Sequence, residues 1–85
     1  MSDKEFKLYE VQFPYFYHAM MAEMERHYPE KGDSYHECSV EELENVLRNA
    51  IYTYWERKDD HPRKASQTID IANICAMLYQ RLCGI

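Results

Sequence analysis

Apolar positions recur along this chain with a helical period. From Phe13 onward, Phe16/Tyr17, Met20/Met21, Met24 and Tyr28 follow the i, i+3, i+4, i+7 spacing of a helix with one apolar stripe. Pro14 suits the first turn of such a helix, where no amide donor is needed, and Tyr28-Pro29 followed by Lys31-Gly32 closes it. Ahead of it, Ser2 through Val11 reads as a short separate helix or a loose N-terminal arm over residues 1–12, with Phe6 and Tyr9 as anchors. Glu30 to Glu37 carries Gly32, Asp33 and Ser34 and reads as a loop. Ser39-Val40-Glu41-Glu42 is a capping box, in which the hydroxyl and the Glu42 carboxylate each satisfy an orphaned backbone donor. Leu43, Val46/Leu47, Ala50/Ile51 and Tyr54 then extend a second helix from Val40 to Lys58.

Lys58 to Lys64 is polar, contains Pro62, and has the length of a linker between antiparallel neighbours in a bundle. A third helix runs from Ala65 to Cys83, with Gly84 as its stop. Its apolar residues, among them Ile69, Ile74, Met77, Leu78 and Leu82, cover nearly the whole circumference. Such a helix is expected to be buried on more than one side, which two other short helices cannot achieve. A second copy of the chain is the expected cover. No segment alternates with period two over strand length, so the fold class is all-α: a compact bundle of three main helices, completed by homo-oligomerisation.

With 85 residues, the chain has room for a single domain, residues 1–85. Ten Lys and Arg against 15 Asp and Glu give a formal charge of −5, which repels a phosphate backbone and argues against nucleic acid as a partner. No apolar stretch approaches the roughly 20 residues that span a bilayer, and Met1-Ser2-Asp3-Lys4-Glu5 is too charged for a signal peptide. A cytoplasmic protein is expected. Three cysteines cannot all pair within one chain, and Cys75 and Cys83 on one helix stand ~12 Å apart, too far to bridge. They are expected to be reduced core thiols.

Within the apolar third helix, Gln67, Asp70 and Asn73 fall at successive i+3 positions and form one polar stripe. A buried carboxylate needs a hydrogen-bond partner, a cation or a metal. The stripe reads either as a satisfied polar network that fixes helix register or as the wall of a ligand groove. A metal, if there is one, belongs on Asp70.

The order helix, Gly32-Asp33-Ser34-Tyr35 loop, Ser39-capped helix, polar linker and Asp70-Ile71-Ala72-Asn73 resembles the small MazG-like proteins of the all-α NTP pyrophosphohydrolase superfamily, over about Phe16 to Leu82. The resemblance implies an oligomer that splits nucleoside triphosphates into monophosphate and pyrophosphate, with Mg²⁺ held by Glu-x-x-Glu before the linker and Glu-x-x-Asp after it. A hard cation clamped on phosphate needs that many carboxylates. This chain departs from the pattern. Gln67 stands in place of the Glu of the second pair, Ala50-Ile51-Tyr52-Thr53 in place of the first, and Tyr35 in place of the usual Trp. No Asp or Glu occurs between Arg48 and Trp55, so of the four carboxylates only Asp70 remains.

His36-x-Cys38 beside Glu37 and Glu41 is the one compact group of metal-ligand types, and it lacks the paired ligands of a structural zinc site. His18 and His27 are nine apart on the first helix and point in opposite directions, as surface or partly packed residues. No nucleophile signature occurs, and glycine at 32 and 84 only leaves no phosphate cradle. Tyr52, Tyr54, Trp55 and Arg57 end the second helix as core packing, as a contact patch, or as a stacking surface with His61, Arg63 and Lys64 nearby.

The expectation is a non-catalytic MazG-like protein without a cofactor. It would bind a partner protein as a small regulator or inhibitor, or a nucleotide-like ligand in a groove near Asn49, Thr53, Gln67, Asp70 and Asn73. The alternative is a Mg²⁺-dependent pyrophosphohydrolase that draws carboxylates from elsewhere, such as Glu37, Glu41 or Glu56.

Overall fold

Ser39 stands in extended backbone (φ −72°, ψ 164°), and its hydroxyl oxygen accepts the Glu42 amide at 3.1 Å. That bond satisfies one of the donors a helix leaves free at its start, and α2 (Val40–Glu56) begins there. The Glu42 carboxylate accepts the Ser39 hydroxyl at 3.3 Å rather than a backbone amide, so only the hydroxyl half of the expected box is formed. The computed structural model describes residues 1–31 and 38–84, with side chains for 1–27 and 38–84. Every regular element among them is an α-helix: α1 (Asp3–Lys31), α2, and α3 (His61–Cys83). The Gly32-Asp33-Ser34-Tyr35 loop, His36 and Glu37 lie outside the described residues.

Three boundaries differ from the sequence reading. Residues 2–11 are not a separate arm: α1 starts at Asp3 and continues through Pro14 and Pro29 to Lys31. Proline's fixed φ near −65° is itself helical, so each ring removes one hydrogen bond without ending the helix. Ser2 caps this helix as Ser39 caps α2, accepting the Glu5 amide at 3.2 Å, and Ser2-x-x-Glu5 is the same box motif. At the other end, α2 stops at Glu56 because Lys58 takes a left-handed φ of 48°. Most of the expected linker is the first turn of α3: Asp60 accepts the Arg63 amide, Pro62 occupies the opening turn, and the helix starts at His61.

The hydrophobic core sits between α2 and α3. Leu43, Ala50, Ile74 and Leu78 are buried, and Cys38, Val40, Leu47, Ile71 and Met77 pack around them. One face of α3 makes this contact. Cys75, Ala76, Tyr79 and Leu82 lie on the other side and are exposed, so within one chain Cys75 and Cys83 are free but not core thiols. Positions 67, 70/71, 74 and 78 share one stripe, and 75, 79 and 82 fall behind it. α1 rests mainly on α3 through its second half. Its first half carries apolar residues round the axis and leaves Phe6, Leu8, Tyr9, Val11, Phe13 and Tyr15 exposed. The chain accordingly has a radius of gyration of 14.6 Å, against about 12 Å for a closed globule of this length.

Candidate functional site

The polar stripe of α3 is divided between two helices. Gln67, 6% exposed, donates its side-chain amide to the Ala50 carbonyl of α2 at 3.0 Å. Asn73, 5% exposed, donates to the Met20 carbonyl of α1 at 3.2 Å. Asp70 lies between them on the α1 side, half-buried, and joins none of the ion pairs among the described residues. Gln67 and Asn73 thus behave as register-fixing contacts, each tying α3 to a different neighbour. Asn73 does so with one atom only, since its Oδ1 is buried without a partner.

Asp70 faces two residues that the sequence reading left apart. Ligand atoms of Glu23, His27 and Asp70, all half-buried, lie within 4.8 Å of one another. Glu23 and His27 stand at i and i+4 on α1, which puts both side chains on one face, and His27 Nε2 is 2.9 Å from Glu23 Oε1. Arg26 also reaches Glu23 Oε1, and its Nη2 is 3.2 Å from His27 Nε2. His27 Nδ1, on the far side of the ring, is buried without a partner. The sequence signal was present: a Glu and a His four apart on a helix are neighbours, but nothing along the chain says that Asp70 meets them.

The electrostatics follow from this packing. Burial, then the charge of Glu23, push the Asp70 carboxyl above the ordinary Asp range, against smaller opposing pulls from His27, Arg26 and Arg57. The hydrogen bond from Arg26 leads in holding Glu23 below its ordinary value, with His27 assisting against partial burial. The site gathers two carboxylates and one imidazole, of which Glu23 and His27 are bonded to each other, with one guanidinium at its solvent edge.

The remaining groove candidates do not join this cluster in any hydrogen bond. Thr53 donates its hydroxyl to the Asn49 carbonyl at 2.9 Å within α2, and Asn49 is exposed. The four-carboxylate Mg²⁺ arrangement that the resemblance implies does not fit these residues. Positions 49–54 supply no acid, and the Gln67 amide is committed to the Ala50 carbonyl. Glu41 and Glu56 are exposed on α2.

The aromatic end of α2 is a surface. Tyr52 and Trp55 are 59% and 66% exposed, and Tyr54 and Arg57 are half-buried. Lys64 Nζ lies 4.8 Å from the Tyr54 ring centre and 5.7 Å from that of Trp55, while Arg57 donates to the Arg63 carbonyl at 2.8 Å. These contacts clasp the start of α3 to the end of α2.

The chain matches no protein-family model, no curated protein and no solved structure. Among the described residues, no helix is long and apolar enough to cross a membrane.

Proposed function

We propose that this chain is a non-catalytic, MazG-like helical protein of the cytoplasm that works as a homo-oligomer. It binds a partner protein, as a small regulator or inhibitor, or a nucleotide-like ligand. The bond from Gln67 to the Ala50 carbonyl carries the non-catalytic part. At this α2–α3 contact the resemblance calls for facing carboxylates, and here a neutral amide closes on a backbone oxygen. A dication has nothing to hold there, and family-type triphosphate cleavage loses its electrophile.

Surface area supports the oligomer. A folded chain of 10.3 kDa is expected to expose about 5,400 Å², whereas this one exposes 7029 Å². The surplus of roughly 1,600 Å² is about twice what each partner contributes to a standard interface. The first half of α1, the Cys75, Tyr79 and Leu82 side of α3, and the Tyr52 and Trp55 end of α2 are apolar faces available to it. Light scattering at micromolar concentration is expected to give a multiple of 10.3 kDa. A single-chain mass defeats the oligomer.

One observation favours a second reading, a pyrophosphohydrolase with a non-standard acidic set: Glu23 lies beside Asp70. Incubation with mixed nucleoside triphosphates and Mg²⁺ or Mn²⁺ separates the two. The leading reading expects no pyrophosphate. Turnover that disappears in Asp70→Ala overturns it.

A further inference from the structure

We propose that Glu23, His27 and Asp70 form a three-ligand site for a first-row divalent transition-metal ion at the α1–α3 contact. Three facts point there. The ligand atoms converge from two helices to within 4.8 Å of one another, wider than the ~3.3 Å spacing of ligand atoms bound at about 2.0–2.1 Å in a tetrahedral shell, so side-chain rotation must draw Asp70 in by about 1.5 Å on loading. Two of them are already 2.9 Å apart, His27 Nε2 and Glu23 Oε1. The third fact is the buried amide of Asn73. It stands one turn beyond Asp70 and is anchored to Met20, one turn before Glu23, with a 5% exposed side chain whose Oδ1 has no partner. An acceptor buried without a partner on the same pair of helices marks a place where this contact is not closed by protein groups alone.

The donor set chooses the class of ion. Two carboxylates balance a double positive charge, and an imidazole nitrogen favours Zn²⁺, Co²⁺ or Ni²⁺ over Mg²⁺ and Ca²⁺, which take oxygen. On loading, Nε2 gives up the hydrogen it now donates to Glu23, to solvent or by exchange through solvent to Nδ1, and the ring coordinates through Nε2 with its one hydrogen on Nδ1, so the ion takes the place of that hydrogen bond. Arg26 competes for Glu23, but its side chain is 67% exposed and can swing into solvent. Of these three ligands only Asp70 belongs to the pattern of the MazG-like resemblance. The site does not depend on the non-catalytic reading, since binding and turnover are read separately.

The test is calorimetric titration of the whole, reduced chain with ZnCl₂, and in parallel with MgCl₂. One Zn²⁺ per chain is expected, with Mg²⁺ weaker by about a hundredfold or more. Glu23→Gln, His27→Gln and Asp70→Asn should each weaken Zn²⁺ by at least about tenfold. Cys38→Ser, Cys75→Ser and Cys83→Ser should leave it within about twofold, and Arg26→Gln should tighten it. No zinc binding, unchanged affinity in the ligand variants, or loss in a cysteine variant overturns the site. A readout on the unaltered chain guards against misfolded variants: Co²⁺ should perturb the amide resonances of residues 20–27 and 69–74 first. Perturbation centred on Cys38 or His61 instead defeats the proposal.

Discussion

Gln67 and Ala50, 17 residues apart in the chain, are joined by a 3.0 Å hydrogen bond from the side-chain amide of one to the backbone carbonyl of the other. The bond is buried, and it makes position 67 a donor site. A carboxylate there would meet a carbonyl oxygen with no donor between them. Gln67→Glu, the change that moves the chain toward the MazG-like pattern, is therefore expected to destabilise it by about 1–3 kcal/mol and to create no pyrophosphohydrolase activity. Thermal denaturation followed by circular dichroism measures this. An unchanged melting temperature would show that the donor is dispensable.

Leu43 is the most deeply buried large side chain, 1% exposed, at the centre of a core with few other buried residues. Leu43→Ala is expected to remove about 2–5 kcal/mol from a total near 4–13 kcal/mol for a chain of this length. Urea denaturation should show a midpoint moved far toward zero denaturant. A loss under about 1 kcal/mol would place the core elsewhere.

Asp70 carries a pH dependence whose sign is fixed by burial and then by the charge of Glu23, which together outweigh His27, Arg26 and Arg57. Its folded value lies above the ordinary 3.8, so between the two values the native state holds the extra proton. Stability falls as pH rises through that window and stays lowered above it. In chelator-treated protein, Asp70→Asn is expected to be more stable than the natural chain at pH 7, by roughly 0.5 kcal/mol once solvent screening is allowed for. At about pH 3 both forms are neutral and the gain should vanish. Glu23 works in the opposite sense, because its value is lowered below 4.5 and the stability it adds is lost as pH falls. A variant less stable at pH 7 would refute the assignment.

Phe13 is 65% exposed and Val11 61% exposed on the first half of α1. Phe13→Glu is expected to reduce the mass in solution to 10.3 kDa while helix content is kept. If the assembly survives the charge, the interface lies instead on the α3 face at Tyr79 and Leu82 or the α2 face at Tyr52 and Trp55.

Trp55 gives a contrasting case, exposed yet held by a ring contact with Tyr54 (centroids 5.4 Å apart) and by Lys64. Trp55→Ala is expected to change stability by no more than about 1 kcal/mol, the size of an exposed cation–π contact. Thermal denaturation checks it, and a loss of several kcal/mol would mark Trp55 as core. Tyr54, half-buried, should lose more on truncation.

Much of the fold was legible because its signals are local. Ser39 with Glu42 marks the start of α2, Gly84 ends α3 with a φ of 73°, and the period of Leu43, Leu47 and Ala50 picks out the face that becomes core. Where local signals conflict, the reading slipped. Pro14 and Pro29 looked like boundaries and are not, while Asp60 caps a turn that composition presented as linker. The candidate site was half legible: Asp70 and Asn73 announced themselves as polar residues in an apolar helix, whereas His27 read as a surface or partly packed residue and Glu23 carried no signal of its own.

The sequence by itself determined that the chain is helical, where α2 begins and where α3 ends, and that positions 49–54 hold no acid, because propensity, capping and composition act within a few residues. Only the tertiary packing decided that Gln67 serves α2, that Asn73 serves α1, and that Asp70 meets Glu23 and His27 across 43 or more residues of chain. Those meetings depend on the rotation and slide of one helix against another, set by the summed fit of many side chains, and no local run of residues records them.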